Sequence, residues 1–132
     1  MSNLQTVQEM YAAFGRGDVP AILQQLTDAV EWEYGIAASE VPWLKPGRGR
    51  AAAAAFFKSL GAIQIEKFVT KLFLEGPGVV VVLIDIEFVV TATGRRVVEE
   101  DEVNIWHFDA QGKVARFRHR VDTQQHLLAW RG

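Results

Sequence analysis

Apolar positions Leu4, Val7, Tyr11 and Phe14 recur at helical spacing, Ser2 and Gln5 have the spacing of a capping box, and the run "GRGD" stops the pattern. This predicts a first helix ending near Gly15. Asp18 can cap a second helix with Pro20 in its first turn and an apolar stripe of Ile22, Leu23 and Leu26, ending about Thr27. Val30, Trp32 and Tyr34 then alternate with Glu31 and Glu33, the period of a short, half-buried strand. The Gly- and Pro-rich stretch "GIAASEVPWLKPGRGR" reads as a long loop carrying Trp43, of a length often used as a lid. Ala51 to Leu60, with its alanine run and Phe56 and Phe57, predicts a third helix.

From Ile63 onward β-branched and aromatic residues dominate, interrupted by "EGPGV", "TATGRR" and "DAQGK", which read as turns between four antiparallel strands. In the first of these strands the apolar residues shift from odd positions (Ile63, Ile65) to even ones (Phe68, Leu72, Leu74), as a bulge that bends the sheet would require. The order of helices, short strand, helix and meander predicts an α+β fold, with helices packed on a curved, mostly antiparallel sheet, in one domain over 1–132.

The last hairpin carries the candidate chemistry. If Phe108 faces Lys113 across the turn, Ile105, Val103 and Asp101 face Arg116, Arg118 and Arg120 on one side, while Trp106, Asn104 and Glu102 face Ala115, Phe117 and His119 on the other. His119 then shares a mainly apolar face with Trp106, Phe117, Val121 and Asn104, a pocket-like composition. Glu102 opposite His119 could orient the imidazole and raise its basicity for general acid/base work; the same trio could equally be a structural polar network. The arginine stripe reads as a solvated or dimer-facing ladder. Tyr11, Trp32, Trp43 and Phe56 join the possible ligand contacts, with core packing as the other reading of Tyr11, Trp32 and Trp43.

Composition narrows the classes. With 132 residues, 49% apolar, one core is affordable without subdivision, and a net charge of -2 with scattered acids gives no reason to expect nucleic acid or an anionic membrane. A small neutral ligand suits that balance better. The lack of cysteine excludes disulfides and thiolate chemistry, and the three histidines lack a metal-site spacing; His107 has no carboxylate opposite it and His126 lies in the tail. No signal-peptide pattern opens the chain, so the expected location is cytoplasmic. Apolar residues on both faces of strands such as "VVVVLI" suggest a homodimer through the outer sheet.

The order of elements together with "MYAAFGRGD", "DAVEWE", "GRGRAAAAAFF" and "DAQGKVARFRHRVDT" resembles the SnoaL-like branch of the nuclear transport factor two-like superfamily. The resemblance implies a cone-shaped fold of three N-terminal helices on a strongly curved sheet. It also implies a range of activities, from ketosteroid isomerases, limonene epoxide hydrolases and polyketide cyclases to plain binding domains. Aligned on "GKV", Asn104 stands where ketosteroid isomerases carry an acid that holds the oxyanion, and "DAVEWE" places Glu33 at their base. Alternation, however, leaves Glu33 outside unless the strand is irregular before Gly35. Met10 falls at the isomerase tyrosine with Tyr11 next to it. Phe117 and His119 occupy the places of an inward aromatic and an acid in the epoxide hydrolases, whose Arg and Asp pair has no counterpart in "LIDIEFVV". The expectation is a pocket protein for a hydrophobic carbonyl- or hydroxyl-bearing compound: a cofactor- and metal-independent isomerase, cyclase or dehydratase using His119, Glu102 and Asn104, or a non-catalytic ligand-binding or dimerisation module.

Overall fold

The computed structural model describes residues 1–132. Helix α1 (Asn3–Gly15) has a complete capping box: Ser2 Oγ accepts from the Gln5 N–H at 3.1 Å and Gln5 Oε1 from the Ser2 N–H at 2.9 Å. Helix α2 (Val19–Leu23) is capped by Asp18, whose Oδ1 accepts from the Ala21 N–H at 3.2 Å. It stops a turn earlier than its pattern predicts, because the Gln25 carbonyl is taken by the Val114 N–H at 2.8 Å and the chain enters strand β1 (Leu26–Trp32) there. Local periodicity loses to a long-range strand pairing.

Strands β2 (Gly47–Arg48), β3 (Ile63–Gly76), β4 (Val79–Val90), β5 (Arg96–Phe108) and β6 (Val114–Arg120) complete one open sheet of order β2-β1-β6-β5-β4-β3. Only β1 and β6 run parallel. Helix α3 (Arg50–Ser59) packs on β1. The fold is α+β on a curved, open sheet, as the sequence pattern implied, and has the cone form that the resemblance implied.

The expected irregularity of β3 lies between Ile65 and Lys67, and a second lies between Thr70 and Leu72. The second returns the strand to its first parity. Phe73 therefore packs on the core, whereas Leu72 and Leu74, counted inward by the alternation, are 46% and 49% exposed.

The supposed tail is helix α4 (Thr123–Arg131). Strand β5 runs past the end of β6, which pairs only from Val103 onward, and the free edge at Val98 is filled by a side chain: Gln125 accepts from the Val98 N–H at 2.8 Å and donates to its carbonyl at 3.2 Å. Thr93 Oγ1 donates to the Ala129 carbonyl at 2.6 Å, and Arg131 holds Glu40 through two bonds of 3.1 and 2.5 Å. The loop expected to form a lid is thereby tied down. Trp43 sits in a one-turn 3-10 helix (Pro42–Leu44), 2% exposed, with its ring edge-on to Phe88 and Trp130. Its large apolar ring is worth more in the core than at a pocket mouth. No helix is long and apolar enough to cross a membrane.

Candidate functional site

Two non-glycine residues have positive φ, and both steer acids inward. Glu33 (φ 54) follows the end of β1, where its N–H still donates to the Phe117 carbonyl at 2.8 Å. The left-handed backbone overrides the alternation, and the side chain that strand parity puts outside is 0% exposed. Behind it Gly35 has a φ of 81°, a backbone conformation that glycine adopts without strain and L side chains rarely do. Asp101 (φ 62) forms a bulge in β5: Glu99 pairs with Ile86 and Glu102 with Ile84, so Glu100 and Asp101 stand against Asp85 alone. Glu99 and Glu102, which a regular strand would send to opposite faces, are both buried. On the outside the bulge is clamped by Lys71, whose Nζ is 2.5 Å from Asp101 and 2.9 Å from Asp85.

The last hairpin holds the parity expected but not the register. Asn104 pairs with His119 and Trp106 with Phe117, two residues away from the pattern-based pairing. Phe108 pairs with Val114 instead of Lys113, and an irregularity beside Ala115 adds the second step. Because the slip is even, His119, Asn104, Trp106 and Glu102 keep their common face. The arginine stripe, Arg116, Arg118 and Arg120, stays on the other one.

That face bounds a cavity with about 690 Å³ of space, part of it open to solvent. Its wall includes Tyr11, Trp32, Trp43, Phe56, Trp106 and Phe117, with Glu102, Asn104, His119 and His126 as polar members. Val121 is outside the wall, partly buried against the core beyond the end of β6.

His119 is oriented by Glu33, not Glu102. Glu33 Oε1 accepts from the His119 backbone N–H at 3.0 Å and from Nδ1 at 2.5 Å. The Nδ1 proton is thus fixed on the carboxylate side, and Nε2 is left without a protein partner in a residue that lines the cavity. Burial alone would depress the imidazole pKa, but the charge and hydrogen bond of Glu33, with Glu102 and Glu99 behind it, raise it above the usual value.

Tyr11 Oη is 2.6 Å from Asn104 Nδ2 and accepts from Trp106 Nε1 at 3.1 Å. With the amide nitrogen donating, the phenol proton is free and Asn104 Oδ1 has no partner; with the amide turned over, the phenol donates to Oδ1 and the NH2 group is free. Either way the pair keeps a spare hydrogen-bond donor. Burial pushes the Tyr11 pKa up, so the phenol stays a neutral donor. Glu102 is 4% exposed, and burial is the main reason its carboxyl is pushed up to about 7; His119 opposes that rise, and Glu99 and Glu33 add to it.

A second buried pair was not legible in the sequence. His126 Nε2 lies against Glu99 Oε1, whose other oxygen accepts from the Asp122 N–H at 3.0 Å, while His126 Nδ1 lies 3.0 Å from Trp43 Nε1. Indole N–H only donates, so Nδ1 accepts and the ring proton sits on Nε2. Glu99, Glu102 and His126 have ligand-type atoms within 4.8 Å of one another. A metal would need the Nε2 lone pair that this tautomer does not offer, so the chemistry of the cluster is hydrogen bonding. The acid-dense "EEDE" at Glu99 to Glu102 was the one available signal, since a strand with a buried face rarely carries four acids in a row.

Residues 7–117 match the SnoaL-like domain family. The chain belongs to that family. Among solved structures, this SnoaL-like chain is similar to an NTF2-like protein of unknown function from Burkholderia pseudomallei, with 27% identity, TM-score 0.81 and 98% of each chain covered. An NTF2-like protein from Burkholderia xenovorans has 28% identity and TM-score 0.82, covering 96% of this chain and 94% of its own. TerC, co-crystallised with polyporic acid, shares the fold at 21% identity and TM-score 0.77, with 98% of each chain covered. No functionally curated protein matches the sequence.

Proposed function

We propose that the cavity is a small-molecule site in which His119 moves a proton on a compact, largely apolar compound bearing a carbonyl or hydroxyl group. One observation carries the reading: the imidazole is tied through Nδ1 to Glu33, which leaves Nε2 unengaged on the wall of the same cavity that holds the Tyr11 and Asn104 donor. Neutral His119 in this tautomer is a base at Nε2. Once protonated there, it is stabilised by Glu33 and can return the proton to a different ligand atom, the step needed for isomerisation, cyclisation or dehydration. The spare donor of the Tyr11 and Asn104 pair can meet negative charge developing on the ligand oxygen. Glu102, titrating near neutrality, is a second group able to give or take a proton.

The test is turnover and binding of a panel of small ketones, lactones and polyketide-like aromatics by the protein and by His119→Gln. The expected result is retained binding and a loss of rate on the order of a hundredfold or more. Binding without turnover, unchanged in the variant, would establish the cavity as a binding site alone.

We further propose that the protein is a cytoplasmic homodimer joined through the outer face of the sheet. Val69, Leu72, Leu74 and Val98 are exposed to between 44% and 52%, an apolar surface that a second copy would cover. Sedimentation at micromolar concentration should give twice the chain mass, and a monomer there would reject the dimer.

A further inference from the structure

The charges around the cavity do not balance. Its wall carries the carboxyl of Glu102 and the imidazoles of His119 and His126, with Glu33 and Glu99 bonded to those rings from behind, and no Lys or Arg is among its 20 residues. Glu33 has a counter-charge whenever His119 is protonated. Glu99 has none: His126 reaches it as a neutral ring, because Trp43 holds Nδ1 as an acceptor, and the Asp122 N–H carries no charge. Glu102 stands beside Glu99 with a buried carboxyl that bonds to no protein group. A buried carboxylate without a cation or donors is costly, so the ionised form calls for a partner from outside the chain.

The remaining wall offers that partner a second attraction. Trp32, Trp106, Phe56, Phe88 and Phe117 surround the space with aromatic rings, whose faces attract positive charge and are indifferent or repulsive to anions. A carboxylate or phosphate ligand would meet uncompensated acids and no Lys or Arg, and the charge of a protonated His119 is already balanced by Glu33. A neutral ligand would satisfy the Tyr11 donor but leave Glu102 as it is.

We propose that the ligand of this cavity is a compact organic cation, an apolar body carrying a protonated amine whose N–H groups donate to the Glu102 carboxylate. The proposal rests on the reading of the cavity as a small-molecule site and adds the charge of the molecule it takes. It also fixes a pH dependence. Glu102 titrates at about 7, so lowering the pH removes the carboxylate that holds the ammonium. Protonation of His119, whose pKa is likewise raised, adds positive charge and acts in the same direction. Tyr11 stays neutral, His126 is the remaining titratable residue of the wall, and Glu33 and Glu99 stand behind the two imidazoles they bond.

Three probes of matched size separate the outcomes: benzylamine, benzyl alcohol and benzoate, with binding followed by NMR shifts of the indole N–H groups of Trp32 and Trp106. Benzylamine should bind roughly tenfold more tightly than benzyl alcohol at pH 8, the difference between a charge-assisted and a neutral hydrogen bond. It should lose that advantage as the pH is lowered to 6 and in Glu102→Gln. Benzyl alcohol should show neither dependence, and benzoate should bind most weakly. Equal binding of amine and alcohol, or an amine preference that survives Glu102→Gln and low pH, overturns the cation proposal and leaves the small-molecule site standing. If none of the three perturbs the indoles, the cavity reading fails with it.

Discussion

Two buried histidines of this protein are each held by a glutamate, and they differ in what occupies the second ring nitrogen. His119, on β6, gives Nδ1 to Glu33 and keeps Nε2 free on the cavity wall. His126, on α4, gives Nε2 to Glu99 and has Nδ1 closed by Trp43. The first ring can gain or lose a proton at an accessible atom while its carboxylate stays in place. The second cannot gain one without breaking its bond to Trp43. One pair leaves a ring nitrogen open to the cavity, and the other fastens the C-terminal helix and the Trp43 turn to β5. Glu102 lies between them and responds electrostatically to both sides, since His119 lowers and Glu99 raises its pKa.

The comparison breaks most visibly at the closed pair. His126→Ala removes the only side chain on Glu99 Oε1, frees the Trp43 N–H and empties core volume, so it should cost about 3 to 5 kcal/mol of stability in urea unfolding. A loss below about 1 kcal/mol would mean that the pair does not fasten α4.

Glu102→Gln should give the next largest effect, and only as a function of pH. The carboxyl is raised in the folded protein from 4.5 to about 7, so the neutral form favours folding: the contribution is complete below about 4.5 and is lost as the pH rises through about 7. The rise corresponds to roughly 3 kcal/mol, at about 1.4 kcal/mol per pH unit. The amide cannot ionise, so the variant should gain that much relative to the parent protein between pH 4.5 and 7 and then stay level. A difference in stability that is flat across this range would show that Glu102 is not desolvated.

His119→Gln sharpens the contrast from the open side. Glutamine still presents a donor and the backbone N–H still reaches Glu33, so the stability cost should be on the order of 1 kcal/mol. A much larger loss, comparable with His126→Ala, would make the two pairs equivalent and the free Nε2 incidental.

Much of this was legible locally. The capping box and apolar spacing of α1, the alanine-rich α3 and the turns of the meander depend on neighbours a few residues apart. The face shared by His119, Asn104, Trp106 and Phe117 was legible too, because strand parity survives an even slip of register. What local pattern left undecided or missed were the positions where the backbone leaves regular geometry: the resemblance pointed to Glu33 and alternation away from it, and nothing pointed to the bulge at Asp101. The bulge at Asp101 and the turn at Glu33 each put an acid on the face that alternation forbids, and neither residue type announces a positive φ as glycine would. Helix α4 escaped because its capture depends on an edge of β5 that exists only where β6 has ended.

The sequence by itself determined the first three helices, the short strand and the four-stranded meander in their order, the absence of cysteine chemistry and the residues that could do acid/base work, since each follows from side-chain type and local period. Only the tertiary structure decided which carboxylate holds which histidine. Glu33 and His119 are 86 residues apart, and Glu99 and His126 are 27 apart. Such partnerships arise from the parallel contact of β1 with β6 and from the packing of α4 on β5. Over those separations the chain's own covalent geometry fixes nothing, and burial, bulges and the need to satisfy each polar group choose the partner.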